Sequence, residues 1–106
     1  MKSDDPLTSR GVYKIPCNDC DSVYIGETSR PFKVRLKEHK HNCISQKVSS
    51  AIADHFSSGH SLDFENSRVI YRESHLYRRK IAEALMINNT RTISGNKSSF
   101  ELTLFS

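Results

Sequence analysis

Two short tyrosine-bearing runs near the start of the chain, Gly11-Val12-Tyr13-Lys14-Ile15 and Ser22-Val23-Tyr24-Ile25-Gly26, constrain its fold more than any other feature. Both are rich in β-branched and aromatic residues, which fit a pleated surface and lose side-chain freedom in a helix. Between them, Pro16 to Asp21 has turn composition. Two strands joined so closely must pair antiparallel. A lone hairpin is marginal in water, so the remaining residues have to cover this one.

The following pattern supplies the cover. Thr28 and Ser29 precede Pro31, whose fixed φ suits a first helical turn, and Phe32 and Leu36 repeat at i, i+4, which predicts a helix to about Lys40. Arg35 and His39 share one flank of it. Val48, Ile52 and Phe56 predict a second helix ending at Gly59, and residues 68–72 (RVIYR) a third strand. From His75 to about Asn89 a last helix is expected, with Ile81, Ala84, Leu85 and Asn88 as its apolar face and Arg79, Glu83 and Met86 on the next. The order β-β-α-α-β-α describes an α+β domain, a small three-stranded antiparallel sheet flanked by helices. Residues 1–9 read as a leader, 10–97 as the domain and 98–106 as a tail whose FELTLF run is a candidate edge strand.

With 106 residues there is room for one core only. The composition, 36% hydrophobic and 26% charged, is that of a folded protein. A net charge of +4 and a pI near 9.1 favour an anionic partner such as nucleic acid. No run is long and apolar enough for a membrane span, and Met1 to Pro6 lacks the apolar stretch of a signal peptide. An intracellular, nuclear protein without a membrane partner is expected. Its three cysteines are then reduced thiols or metal ligands.

GVY at 11–13, YIG at 24–26, Arg35 and His39 on the next helix, Glu83 within RKIAEALMI, and Asn96 downstream together resemble the GIY-YIG endonuclease pattern. The resemblance spans nearly the whole chain, and its elements are widely separated. Val12 stands where isoleucine is usual. Arg35 lies one position further from Tyr24 than is common, with Arg30 as a rival, and Asn96 lacks the usual preceding proline and has Asn88 and Asn89 nearby. The resemblance implies a metal-dependent DNA endonuclease with Tyr13 as general base and Tyr24 and His39 orienting water or passing its proton. Arg35 would fork onto phosphate oxygens, and Glu83 would hold a Mg²⁺ or Mn²⁺ that keeps most of its waters. Asn96 completes the implied set.

Cys17 and Cys20 lie in the hairpin turn, and His55 and His60 span the end of the second helix. Two thiolates and two imidazoles make a tetrahedral Zn²⁺ set, but the stretch between the pairs far exceeds the zinc-finger gap of about 12 to 15 residues. The residues alone slightly favour free thiols in a turn and surface histidines. YIGETSRPFKVRLKEH, HFSSGH and RKIAEALMI resemble the GIY-YIG domains of Penelope-like retroelements, which implies a structural Zn²⁺ on Cys17, Cys20, His55 and His60. It also implies a target-DNA nickase working beside a reverse transcriptase on a longer parent chain. Cys43 is then left as a small buried or half-buried residue, and His41 and His75 as surface residues.

Lys14, Arg30, Lys33, Lys37, Lys40, Arg78, Arg79 and Lys80 are expected to line one basic face holding DNA phosphates, with little sequence specificity. The alternative is a catalytically inactive, zinc-stabilised DNA-binding module, against which the intact tyrosines, arginine and glutamate argue. An RNA-binding module would want an aromatic stacking platform that the sequence lacks.

Overall fold

The computed structural model describes residues 8–47 and 50–97. Strands β1 (Gly11–Pro16) and β2 (Val23–Thr28) form the hairpin. Helices α1 (Phe32–Ser45) and α2 (Ala51–Ser57) follow, then a 3₁₀ turn at Phe64–Asn66, strand β3 (Arg68–Arg72) and helix α3 (Leu76–Asn88). The sheet order is β2-β1-β3, antiparallel throughout, with β1 central. This is the α+β architecture that the alternation of strand and helix patterns predicts. Among the described residues no helix is long and apolar enough to cross a membrane.

Alternation along β1 and β2 sorts their side chains onto two faces. Tyr13, Ile15 and Tyr24 point toward α1 and α2, joining Phe32, Leu36, Cys43, Ile52, Leu62 and Ile93 in one core. Val12, Lys14, Ile25 and Glu27 point the other way, where α3 lies and Arg79 bonds Glu27. The β1–β3 register skips Ile70, so β3 carries one extra residue opposite the Val12–Tyr13 step. Gly11 allows β3 to come close there: a Cβ on it would lie 2.0 Å from the Tyr71 carbonyl oxygen, and its φ is +148°.

The outer edge of β2 is covered. Val23 N–H donates to Arg91 O at 3.0 Å and Ile93 N–H to Val23 O at 2.9 Å, a parallel bridge with residues 91–93. Asn96 extends this cover with its side chain: its Oδ1 accepts from Ile25 N–H at 2.7 Å and its Nδ2 donates to Ile25 O at 2.9 Å.

The helices depart from their expected faces. α1 runs to Ser45 rather than Lys40, because Cys43 continues the buried line of Phe32, Leu36 and His39, and it stops at Gln46 in the left-handed conformation, φ 55°. α2 is capped by Ser50, whose side chain accepts from Ala53 N–H at 3.1 Å, and buries Ile52 with Ala53. Phe56 is 40% exposed although its i, i+4 spacing puts it on the Ile52 side, because it stands at the very end of α2, one residue before the helix stops. In α3 the expected face is wrong: Ile81 and Leu85 are exposed, while Arg79, Glu83 and Ala84 face inward. Val48, the FELTLF run and residues 1–7 lie outside the described residues.

Candidate active site and a Cys/His cluster

Tyr13 sits mid-strand on β1 with its ring against Phe32, centroids 5.0 Å apart, and is 1% exposed. Its cross-strand partner is Gly26. A Cβ at 26 would lie 2.5 Å from both Cζ and Oη of Tyr13, so the phenol occupies the space that a side chain there would fill. The hydroxyl bonds His39 Nε2 at 2.6 Å. Tyr24, half-buried, stands edge-on to the same imidazole at 5.3 Å, which completes a Tyr-His-Tyr cluster.

Burial governs the protonation of this cluster. It pushes the Tyr13 phenol far above its usual range, with help from Tyr24, and the Arg35 guanidinium only partly offsets it. Tyr24 shifts up for the same first reason. His39, 2% exposed, is held down to about 3 by burial and then by Arg35, so the imidazole is neutral, and in its Nδ1–H tautomer Nε2 accepts the hydrogen bond from the Tyr13 hydroxyl. His39 Nδ1 has no partner among the described residues. A neutral, hydrogen-bonded base is thus held against a phenol.

Charged groups border the phenols. Arg35, half-buried one turn before His39, acts on both hydroxyls and donates from Nη1 to Glu38 Oε1 at 2.8 Å. Arg30 forks onto the same carboxylate at 2.8 and 2.9 Å. Held by two guanidiniums, Glu38 is lowered to about 2, mostly by Arg30. From α3, Glu83 is 6% exposed and its charge raises both phenols. A family model for the GIY-YIG catalytic domain matches residues 9–98. The chain belongs to the GIY-YIG family. No curated protein and no solved structure gives a significant match.

GIY-YIG domains are metal-dependent nucleases that act on DNA. In this one, Tyr13, Tyr24 and His39 are in contact, and the charges of Arg35 and Glu83 act on both phenols. Glu83 fits a hard cation: it is a buried carboxylate whose charge is felt by both phenols, and no second carboxylate is needed for an ion that keeps most of its waters. Asn96 reaches the site only through Ile25, both ends of its amide being bonded to that backbone, so it orients the Tyr24-Ile25-Gly26 strand.

The expected basic face divides. Arg30, Lys33, Lys37 and Lys40 line the exposed side of α1, with the Lys40 ammonium 5.7 Å from the Phe64 ring centroid. Lys14 alternates onto the opposite face of the sheet and is half-buried. Arg79 is no surface cation: it is 4% exposed and donates from Nε to Glu27 at 2.6 Å and from Nη1 to Ser74 O at 2.8 Å. Lys80 joins Glu27 at 3.2 Å, which leaves Arg78 as the exposed cation of that trio. All three basic residues of α3 were expected on DNA because a charge run looks alike whether or not a distant acid meets it.

Cys17, Cys20, His55 and His60 form a second cluster, their donor atoms all within 4.8 Å of one another. Cys17 Sγ lies 3.2 Å from His55 Nε2 and 3.5 Å from His60 Nδ1. The two imidazole nitrogens are 3.2 Å apart, and Cys20 Sγ is 3.7 Å from His55 Nε2. A tetrahedral zinc with sulfur at about 2.3 Å and nitrogen at about 2.0 Å has edges of about 3.3 to 3.8 Å, so these donors fit it. The Ser22 backbone N–H helps hold the Cys20 thiol down to about 7, toward the thiolate a metal needs. Backbone bonds tie the same loops: Asn18 N–H to Ser61 O at 2.9 Å and Asp63 N–H to Pro16 O at 2.8 Å.

Three site residues escaped sequence reasoning. Glu38 was visible in principle as an i, i+3 partner of Arg35. Gly26 counted only as the last residue of the YIG run. Glu27 pairs with a residue on a distant element, which no local pattern encodes.

Proposed function

We propose that the protein is a DNA endonuclease that hydrolyses one phosphodiester bond, and that it is the nicking domain of a Penelope-like retroelement. The observation that carries the activity is the buried Tyr13–His39 hydrogen bond with Arg35 and Glu83 at its border. Tyr13 Oη takes the proton of the attacking water as its own passes to His39 Nε2. Burial disfavours the resulting imidazolium, so His39 holds that proton only briefly before it is released. Arg35 exchanges the Glu38 carboxylate for two phosphate oxygens and meets the charge that grows on them. Tyr24, edge-on to His39, keeps the imidazole aimed at Tyr13. A divalent cation on Glu83, when bound, lowers the pKa of its water and counters charge on the leaving oxygen.

Incubating the zinc-loaded chain with supercoiled plasmid and Mg²⁺ or Mn²⁺ tests this. Glu83→Ala and Arg35→Ala should each slow nicking by about 100-fold or more. Wild type and variants making nicked circle equally slowly would defeat the activity.

The Cys/His cluster supports zinc as its occupant, pinning the hairpin turn to the end of α2, with four protein ligands and no open position. That cluster and the string resemblances support the retroelement context, a nuclear site of action and a neighbouring reverse transcriptase. Metal analysis should find about one zinc per chain, lost in Cys17→Ser; undiminished zinc in the variant removes the assignment. The same cluster also favours a second reading, an inactive zinc-stabilised DNA-binding module. That module would bind plasmid with wild-type affinity and never nick it.

A further inference from the structure

We infer that the Glu27–Arg79 ion pair is a positioning device that fixes the rotation of α3 on the sheet, so that the Glu83 carboxylate is held inward. The inference rests on the reading of Glu83 as the site carboxylate. Arg79 touches no substrate. Its guanidinium bonds Glu27 Oε1 on β2 and the carbonyl of Ser74 just before α3, which fastens the start of the helix to the hairpin. Glu27 directly follows Gly26, the residue whose missing side chain makes room for the Tyr13 phenol. Glu83 lies four residues beyond Arg79, one turn further along the same inward face.

Apolar packing holds this rotation only weakly, through the half-buried Met86 and Ile87. Ile81 is 41% exposed and Leu85 50%, while the buried positions of α3 are Arg79, Glu83 and the small Ala84. Turning the helix by one residue, about 100°, would bury more apolar surface and carry Glu83 away from the phenols. The clamp opposes that turn, because Arg79, 4% exposed, would leave its carboxylate partner while still buried, whereas Glu27 also has Lys80 at 3.2 Å. Arginine is suited to this position, since one planar fork reaches a carboxylate and a carbonyl at once, which an ammonium cannot do in the same geometry.

The test uses the full zinc-loaded chain, with ¹⁵N label, as wild type, Arg79→Met, Arg79→Lys and Glu27→Gln. Mn²⁺ titrated into each broadens amides near its binding site, and plasmid nicking and the salt dependence of duplex binding are followed in parallel. Arg79→Met and Glu27→Gln should need about 10-fold or more Mn²⁺ to broaden the Glu83 amide. Both should nick about 10-fold or more slowly, with the salt slope unchanged. Arg79→Lys should fall between them and wild type. If Arg79→Met fails to fold, Glu27→Gln and Arg79→Lys give the same comparison. Folded variants that match wild type in broadening and nicking overturn the clamp alone. So does a salt slope lowered by about one with broadening unchanged, which would make Arg79 a phosphate contact. A wild type that neither nicks nor broadens at Glu83 overturns the endonuclease reading and this inference with it.

Discussion

His39 shows how much one buried ring determines. Its folded pKa, near 3, lies well below the ordinary value of 6.5, so below pH 6.5 the unfolded chain binds a proton that the folded chain refuses. The neutral ring therefore stabilises the fold fully above pH 6.5, and that contribution is lost as pH falls toward 3, at about 1.4 kcal/mol per unit. Urea unfolding at pH 7 and pH 4.5 should show wild type losing about 2 to 3 kcal/mol more than His39→Gln over that interval. Equal losses would mean that the ring is solvated and free to titrate. That Tyr13 and His39 serve one site was implied by the family resemblance, but not that they bond each other. The protonation of the imidazole was not legible either, because it depends on Phe32 and the sheet that close over it.

Among the elements, β2 depends on a borrowed edge. Residues 91–93 and the Asn96 amide satisfy backbone groups on its outer side that would otherwise lack partners. Asn96→Ala strands the Ile25 N–H and C=O together, and should cost about 2 to 4 kcal/mol while Ile25 amide exchange accelerates more than that of β1. Exchange that speeds equally in both strands would mean that Asn96 supports the whole sheet rather than this edge. The strands and α1 could be read from the sequence because alternation and i, i+4 spacing directly encode which side is covered. The face of α3 could not: Ile81 and Leu85 form a stripe like any buried one, and only Glu27, on the hairpin, decides that Arg79 and Glu83 go inward. Asn96 was legible as a motif residue but not as a backbone partner, since nothing local to it marks Ile25.

For the molecule as a whole, the division of the basic residues predicts how binding responds to salt. Arg30→Ala, Lys33→Ala and Lys37→Ala should each lower the slope of log affinity against log salt by about 0.9, whereas Lys14→Ala, half-buried on the α3 side, should leave it unchanged. A loss of slope for Lys14 would place DNA across both faces of the sheet. Within the α1 row, Arg30 and Arg35 do not await DNA bare, because Glu38 already bridges them. Glu38 is tethered to its cations, so its effective concentration beside them exceeds that of any small anion in solution. Free phosphate or a mononucleotide gains little by evicting a carboxylate that returns at once. A polyanion that engages the lysines of α1 at the same time can keep it displaced. The bridge therefore works as a placeholder that discriminates by length, admitting a strand and turning away its monomers.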